Sequence, residues 1–135
     1  MEIVFSEKCL EYRWPGHIER PERIMKALEL LRGNYEFVEP KPASQQDLLT
    51  VHSREYVDFV KNARAGSYLD GDTPAPENIY EYALLSAGAA LLAAQNRGFS
   101  LMRPPGHHAG RNGVAMGAAT LGFCYFNNLA IAVKK

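Results

Sequence analysis

The run Arg103-Pro104-Pro105-Gly106-His107-His108-Ala109-Gly110 constrains this chain more than any other stretch. It can be neither helix nor regular strand. Its two prolines remove backbone donors and fix φ, and Gly106 admits tight backbone geometry. In a strand, adjacent side chains point to opposite faces, so only one histidine of the pair could face a given cleft. A rigid loop can aim both imidazoles at one cleft. Histidine titrates near neutral pH, so two of them there are acid/base equipment. A second dense run, Leu121-Gly122-Phe123-Cys124-Tyr125-Phe126-Asn127-Asn128, follows closely.

The segments leading to this loop alternate in type. Ile3-Val4-Phe5 reads as a short buried strand, and Trp14-Pro15-Gly16 marks a loop. Pro21 suits the first turn of a helix, Ile24, Leu28 and Leu31 repeat at helical spacing, and Gly33 ends it. Tyr35 to Val38 alternates as a second strand. Ser44 and Ser53 are N-caps of two short helices. Residues 65–76 are rich in Gly, Asp and Pro and read as a surface loop. A long helix is expected from Glu77 to Gln95, with Ile79, Ala83, Ala87, Ala90, Leu91 and Ala94 as its apolar stripe, stopped by Gly98. Phe99 to Met102 reads as a third strand that delivers the His-His loop at its C-terminal end, the edge where open α/β sheets place their sites. Arg111 to Thr120 reads as a flexible connection, and Asn127 or Asn128 caps a last helix. This alternation predicts an α/β fold with a mostly parallel sheet.

A chain of 135 residues suits one domain with one modest core. Fifteen basic residues balance fifteen acidic ones, giving a formal net charge of zero, and no basic block stands out. Nucleic-acid binding therefore has no electrostatic support. Cys9 and Cys124 have no metal-type spacing and read as free thiols. Met1 to Phe5 lacks the pattern of a signal peptide, and the apolar stretch from Ala83 to Ala94 is too short to span a bilayer. The expectation is a cytoplasmic protein with no membrane and no nucleic-acid partner.

RPPGHHAG followed by GFCYFNNLAIA resembles the histone deacetylase family, including acetylpolyamine amidohydrolases and acetoin-utilisation proteins. Upstream, His17-Ile18-Glu19-Arg20-Pro21-Glu22-Arg23-Ile24 resembles the family's HPERPxRI segment, with Ile18 where proline is usual. Val51-His52-Ser53-Arg54-Glu55-Tyr56-Val57 resembles its VHxxxYV segment, and Asp72-Thr73 its substrate-loop aspartate. The resemblance implies a three-layer α/β/α, arginase/deacetylase-like fold. It implies that residues 1–135 form a truncated, N-terminal part of that domain, without the C-terminal metal-binding part.

The resemblance assigns roles residue by residue. His108 would be general base on an attacking water, and His107 would assist electrostatically or pass a proton to the leaving amine. Phe123 would wall a narrow channel for an acylated arm, and Gly122 would let backbone approach the substrate. Asp72 would accept hydrogen bonds from substrate N–H groups at the rim. Arg23 would lie behind the site beside the acetate path, with Cys124 a buried small hydrophobe. His17 and His52 read as structural or loop residues.

Family members hold a catalytic zinc with two aspartates and a histidine, which the resemblance places, with a catalytic tyrosine, beyond Asn128. No zinc is therefore expected on this chain alone, and no activity by it in isolation. The function expected is that of part of a zinc-dependent amidohydrolase, cleaving acetylated lysine or polyamine to acetate plus amine. The alternative is a non-catalytic half-domain serving as a binding or oligomerisation module. An open sheet edge invites a strand from another chain, so a homo-oligomer or a complementing C-terminal chain is expected.

Overall fold

Alternation along the first strand sets the layering. Ile3 and Val4 are both fully buried, yet they belong to different cores because successive strand side chains point to opposite faces. The structure, a computed structural model, describes residues 1–135. Its elements are β1 (Glu2–Val4), α1 (Glu22–Leu31), β2 (Glu36–Val38), α2 (Gln45–Leu49), α3 (Arg54–Lys61), β3 (Ser67–Tyr68) and β4 (Pro74–Ala75). Then come α4 (Ile79–Asn96), β5 (Phe99–Ser100), β6 (Ala109–Gly110), β7 (Gly113–Val114) and α5 (Asn128–Lys134), and a 3-10 turn at Glu7–Leu10 follows β1.

The main sheet has the order β2-β1-β5 and is parallel throughout, with Ile3 opposite both Phe37 and Phe99. Ile3, Phe5 and Leu101 on one face meet Leu28 and Ile24 of α1. Val4 on the other meets Ala89 and Ala93 of α4. Helix, sheet and helix are therefore stacked as the α/β/α expectation requires. A larger core lies on the far side of α4. There Ile79, Ala83 and Ala87 pack with Leu48, Val57 and Phe126, and α5 lies along α4. With apolar neighbours on both sides, α4 needs small residues. A Cβ at Gly88 would come within 1.9 Å of the Lys41 carbonyl, where the chain crosses the helix and Ala43 N–H bonds to Leu84 O at 2.9 Å.

Several expectations are corrected in detail. Ala94 is exposed rather than in the stripe, because the buried face continues through Ala89 and Ala93 instead. The left-handed residue that ends α4 is Arg97, at φ 53°, not Gly98. Gly98 is needed because a Cβ there would sit 2.8 Å from the Glu2 carbonyl of β1. The third strand keeps ladder pairing only at Phe99–Ser100. Residues 65–76 are a short antiparallel hairpin, β3 with β4, and residues 109–114 form a second one, β6 with β7. The Ser44 and Ser53 caps are present, the first as a capping box with Asp47. No helix is long and apolar enough to cross a membrane.

Candidate active site

The loop after β5 is fixed by its carbonyls. Ser86 Oγ of α4 donates to Pro104 O at 2.7 Å, and Leu129 N–H donates to Gly106 O at 3.1 Å. Asn127 Nδ2 donates to Ala109 O at 2.9 Å and reaches His107 O at 3.4 Å. The His52 Nδ1–H donates to Gly110 O at 2.9 Å, which leaves Nε2 to accept from Asn127 N–H at 2.9 Å. With its backbone tied down from α4 and α5, the loop presents both imidazoles to solvent. The rings of His107 and His108 stand edge to face with centroids 4.1 Å apart. Gly106 must be glycine because a Cβ there would lie 2.2 Å from the Asn128 side chain.

The base of the loop is anchored by charge. Arg103 is buried and pairs with Glu19 through Nε–Oε1 and Nη2–Oε2, both at 2.8 Å. Its Nη1 donates to Cys9 O at 2.6 Å and Tyr12 O at 3.3 Å, and its guanidinium lies 4.1 Å from the Tyr12 ring centroid. Glu19 also accepts from Tyr12 Oη and faces Arg23 Nη1 at 3.4 Å. No buried polar side-chain atom is left without a partner.

Gly122 and Phe123 form a left-handed corner, at φ 56° and 69°. A Cβ on Gly122 would lie 2.2 Å from Nδ1 of His108, so the close approach that glycine permits here is to a histidine of the pair. The corner turns the half-buried Phe123 ring edge-to-face onto His17, with centroids 4.8 Å apart. His17 in turn contacts the Asp72 carbonyl through Nε2 at 2.8 Å. The Asp72 carboxylate accepts from the hydroxyls of Thr73 at 3.1 Å and Thr120 at 2.9 Å. Phe123, His17 and Asp72 thus form one contiguous wall, in which His17, expected as a structural or loop residue, joins the other two. Arg23 lies exposed at the start of α1, within reach of Glu19. Cys124 is buried and free under the pair, and its Sγ accepts from His107 N–H at 3.4 Å.

Electrostatics favour a neutral His107. Partial burial, then the neighbouring His108, then Arg23, all push its imidazole below the usual histidine range. A neutral imidazole near pH 7 can take a proton. Burial lifts the Cys124 thiol above its ordinary value, which makes it a poor nucleophile. Burial raises the Asp70 carboxyl, but hydrogen bonds to it from the N–H groups of Leu121, Asp72 and Thr73 outweigh that and hold it low. Asp70 pins the β3–β4 hairpin to Leu121, a role sequence reasoning missed. The asparagines were read only as caps, and Glu19 and Arg103 only as motif letters.

A parallel sheet between helices, with a rigid histidine pair at its C-terminal edge and an aromatic wall beside it, defines an arginase/deacetylase-like α/β/α protein. The histone deacetylase domain family matches residues 17–135, so this chain belongs to the histone deacetylase family. It is 41% identical to a probable deacetylase of Archaeoglobus fulgidus over 98% of this chain and 40% of that protein. Identity is 35% to a histone deacetylase-like amidohydrolase of Pseudomonas aeruginosa, over 88% of this chain and 33% of that one. The crystal structure of the HDA15 HD domain superposes with a TM-score of 0.79 at 33% identity, covering 98% of this chain and 42% of that one. The chain therefore spans about 40% of the length of the archaeal relative.

The residues present do not fit the family's zinc set of two aspartates and a histidine. The aspartates are Asp47, Asp58, Asp70 and Asp72. Asp70 is engaged by backbone N–H groups, Asp72 by two hydroxyls, and Asp47 by Ser44 and Lys135. The one convergent group of donors is His107, His108 and Cys124, which contains no carboxylate.

Proposed function

We propose that this chain supplies the acid/base pair and one channel wall of a deacetylase-type amidohydrolase, and that it is inactive in isolation. The substrate class is an acetylated lysine or acetylated polyamine, cleaved to acetate and free amine. His108 takes a proton from the attacking water as the new C–O bond forms. The proton taken by His108 passes to the amine as the C–N bond breaks, with His107 beside it as electrostatic support or proton relay. Such positioned groups contribute roughly 10²–10⁴-fold. The observation that carries this reading is the pair itself, two exposed rings 4.1 Å apart on a loop whose backbone is held from two helices. The half-buried Phe123 offers an apolar surface to a methylene chain while adding no competing polar group. Two free buried thiols agree with a reducing cytoplasm.

The test is acetate release from an acetyl-lysine peptide and from an acetylpolyamine. The chain alone should give none. Mixed with a second polypeptide that supplies the aspartate and histidine ligands, it should turn over, and His108→Ala should abolish that turnover. Robust activity of the pure chain, or full activity with His108→Ala, would sink the proposal.

A second reading, a binding or oligomerisation module, is favoured by the exposed apolar face of α5. Leu129 and Val133 are 63% and 79% exposed there, and the three-stranded sheet has two open edges. Sedimentation equilibrium decides it, since a monodisperse monomer argues against association.

A further inference from the structure

We propose that the hollow between α3 and the two hairpins is a binding site for a primary alkylammonium, an ammonium at the end of a hydrocarbon stem. None of Arg103 to His108 lines it, and the proposal does not depend on the amidohydrolase chemistry.

The register of α3 creates the hollow. Tyr56, Val57 and Val60 make the buried face of that helix. Phe59 falls outside this face and stays 51% exposed. Glu55 lies one turn before it, on the same side of the helix. With Leu69, Val114 and Leu121 these residues enclose about 570 Å³, within the roughly 300–1,000 Å³ of small-molecule sites. The Phe59 ring stacks beside that of Tyr56, with centroids 6.3 Å apart and planes 28° from parallel. The Tyr56 hydroxyl is committed to the Tyr125 carbonyl at 2.6 Å, so the tyrosine offers the hollow only its ring. A methylene stem can lie along such a lining, and an aromatic face attracts a cation.

Charge selects the occupant. The lining includes two carboxylates, Glu55 and Asp70, and no lysine or arginine. Neither carboxylate enters an ion pair. Oδ1 of Asp70 accepts from the N–H groups of both Asp72 and Thr73, at 3.1 and 3.0 Å, whereas Oδ2 accepts from Leu121 N–H alone, at 2.7 Å. One acceptor position therefore remains, on Oδ2. A guanidinium fork needs both oxygens of a carboxylate, while a single ammonium N–H needs one. The spare capacity of Asp70 thus suits an ammonium, with Glu55 supplying a second negative charge.

Cadaverine is the first probe, titrated into the nitrogen-labelled full chain and followed by amide chemical shifts. Saturable shifts are expected at Leu69, Asn112 and Val114. The neutral alcohol n-pentanol should bind at least about threefold more weakly, because it lacks the charge. Glu55→Gln and Phe59→Ala, both at exposed positions, should each weaken cadaverine binding by roughly threefold or more. The amide spectrum of each variant without probe shows whether it is folded. Nα-acetyl-lysine amide carries the same ammonium on a peptide unit. If it binds at least as tightly as cadaverine, the source of the ammonium is a peptide side chain; if it binds more weakly, the source is a free polyamine. No saturable shift at the hollow, equal binding of n-pentanol, or unchanged affinity in either folded variant would overturn the proposal.

Discussion

Arg103 and Glu19 meet as a bidentate pair at 2.8 Å on both arms, across 84 residues of sequence, with side chains 1% and 5% exposed. The pair joins the segment that carries His17 and Arg23 to the base of the histidine loop. Removing one partner of a buried pair leaves the other charge uncompensated. Arg103→Met is therefore expected to cost about 3–5 kcal/mol in urea unfolding. Arg103→Lys should recover little, because an ammonium cannot span both carboxylate oxygens and still reach the Cys9 and Tyr12 carbonyls. A lysine variant as stable as the parent would show that charge alone holds the loop.

His52 should make stability pH-dependent. Burial holds its pKa below the ordinary value of 6.5, and its Nε2 must stay unprotonated to accept from Asn127 N–H. The folded state therefore resists protonation that the unfolded chain accepts. The stabilisation is fully present above pH 6.5 and is lost as pH falls through the folded pKa below it. His107 adds a contribution of the same sign. The melting temperature should be flat above neutrality and fall on acidification, and His52→Gln should flatten that fall. A midpoint unchanged between about pH 7 and about pH 5 would contradict this.

Gly122→Ala tests the corner beneath His108. The new Cβ would meet Nδ1 at 2.2 Å, on backbone at φ 56° that disfavours side chains by roughly 1–2 kcal/mol. The ring must swing away. Expected are a loss of about 1–2 kcal/mol and a large change in the His108 ring resonances, with those of His52 unmoved. Unchanged His108 resonances would show that the ring is not seated on the glycine.

Local chemistry made part of this molecule legible from sequence. The Ser44 and Ser53 caps, the three parallel strands and the placement of the His loop after the third strand all follow from short-range signals. The two hairpins within residues 65–76 and 109–114 did not, because each has only two ladder residues per strand and no alternation to read. At the end of α4, Gly98 was expected to stop the helix, yet Arg97 takes the left-handed closing position and Gly98 makes room for the β1 backbone. In the site, the histidines and Phe123 carry their chemistry in their residue types. Glu19, Asp70, His52 and Asn128 act across long sequence separations, which no periodicity encodes.

Asn127 does two jobs, and one substitution separates them. Its Oδ1 caps α5 by accepting from Ala130 N–H at 2.9 Å, while Nδ2 donates to the carbonyls of Ala109 and His107. Asn127→Asp keeps an acceptor for the cap, and a carboxylate is favoured at a helix N-terminus. It loses both donations and sets negative charge against two carbonyl oxygens, so the histidine loop should loosen while the helix start stays protected. Asn127→Ala loses both functions and should cost about 1 kcal/mol more through the missing cap. Hydrogen exchange at Ala130 reports the cap, and ring relaxation of His107 and His108 reports the loop. Asn127→Asp should leave the first unchanged and alter the second. Equal protection of cap and loop in that variant would mean that His52 and the Leu129 N–H, which hold Gly110 and Gly106, fix the loop without the asparagine.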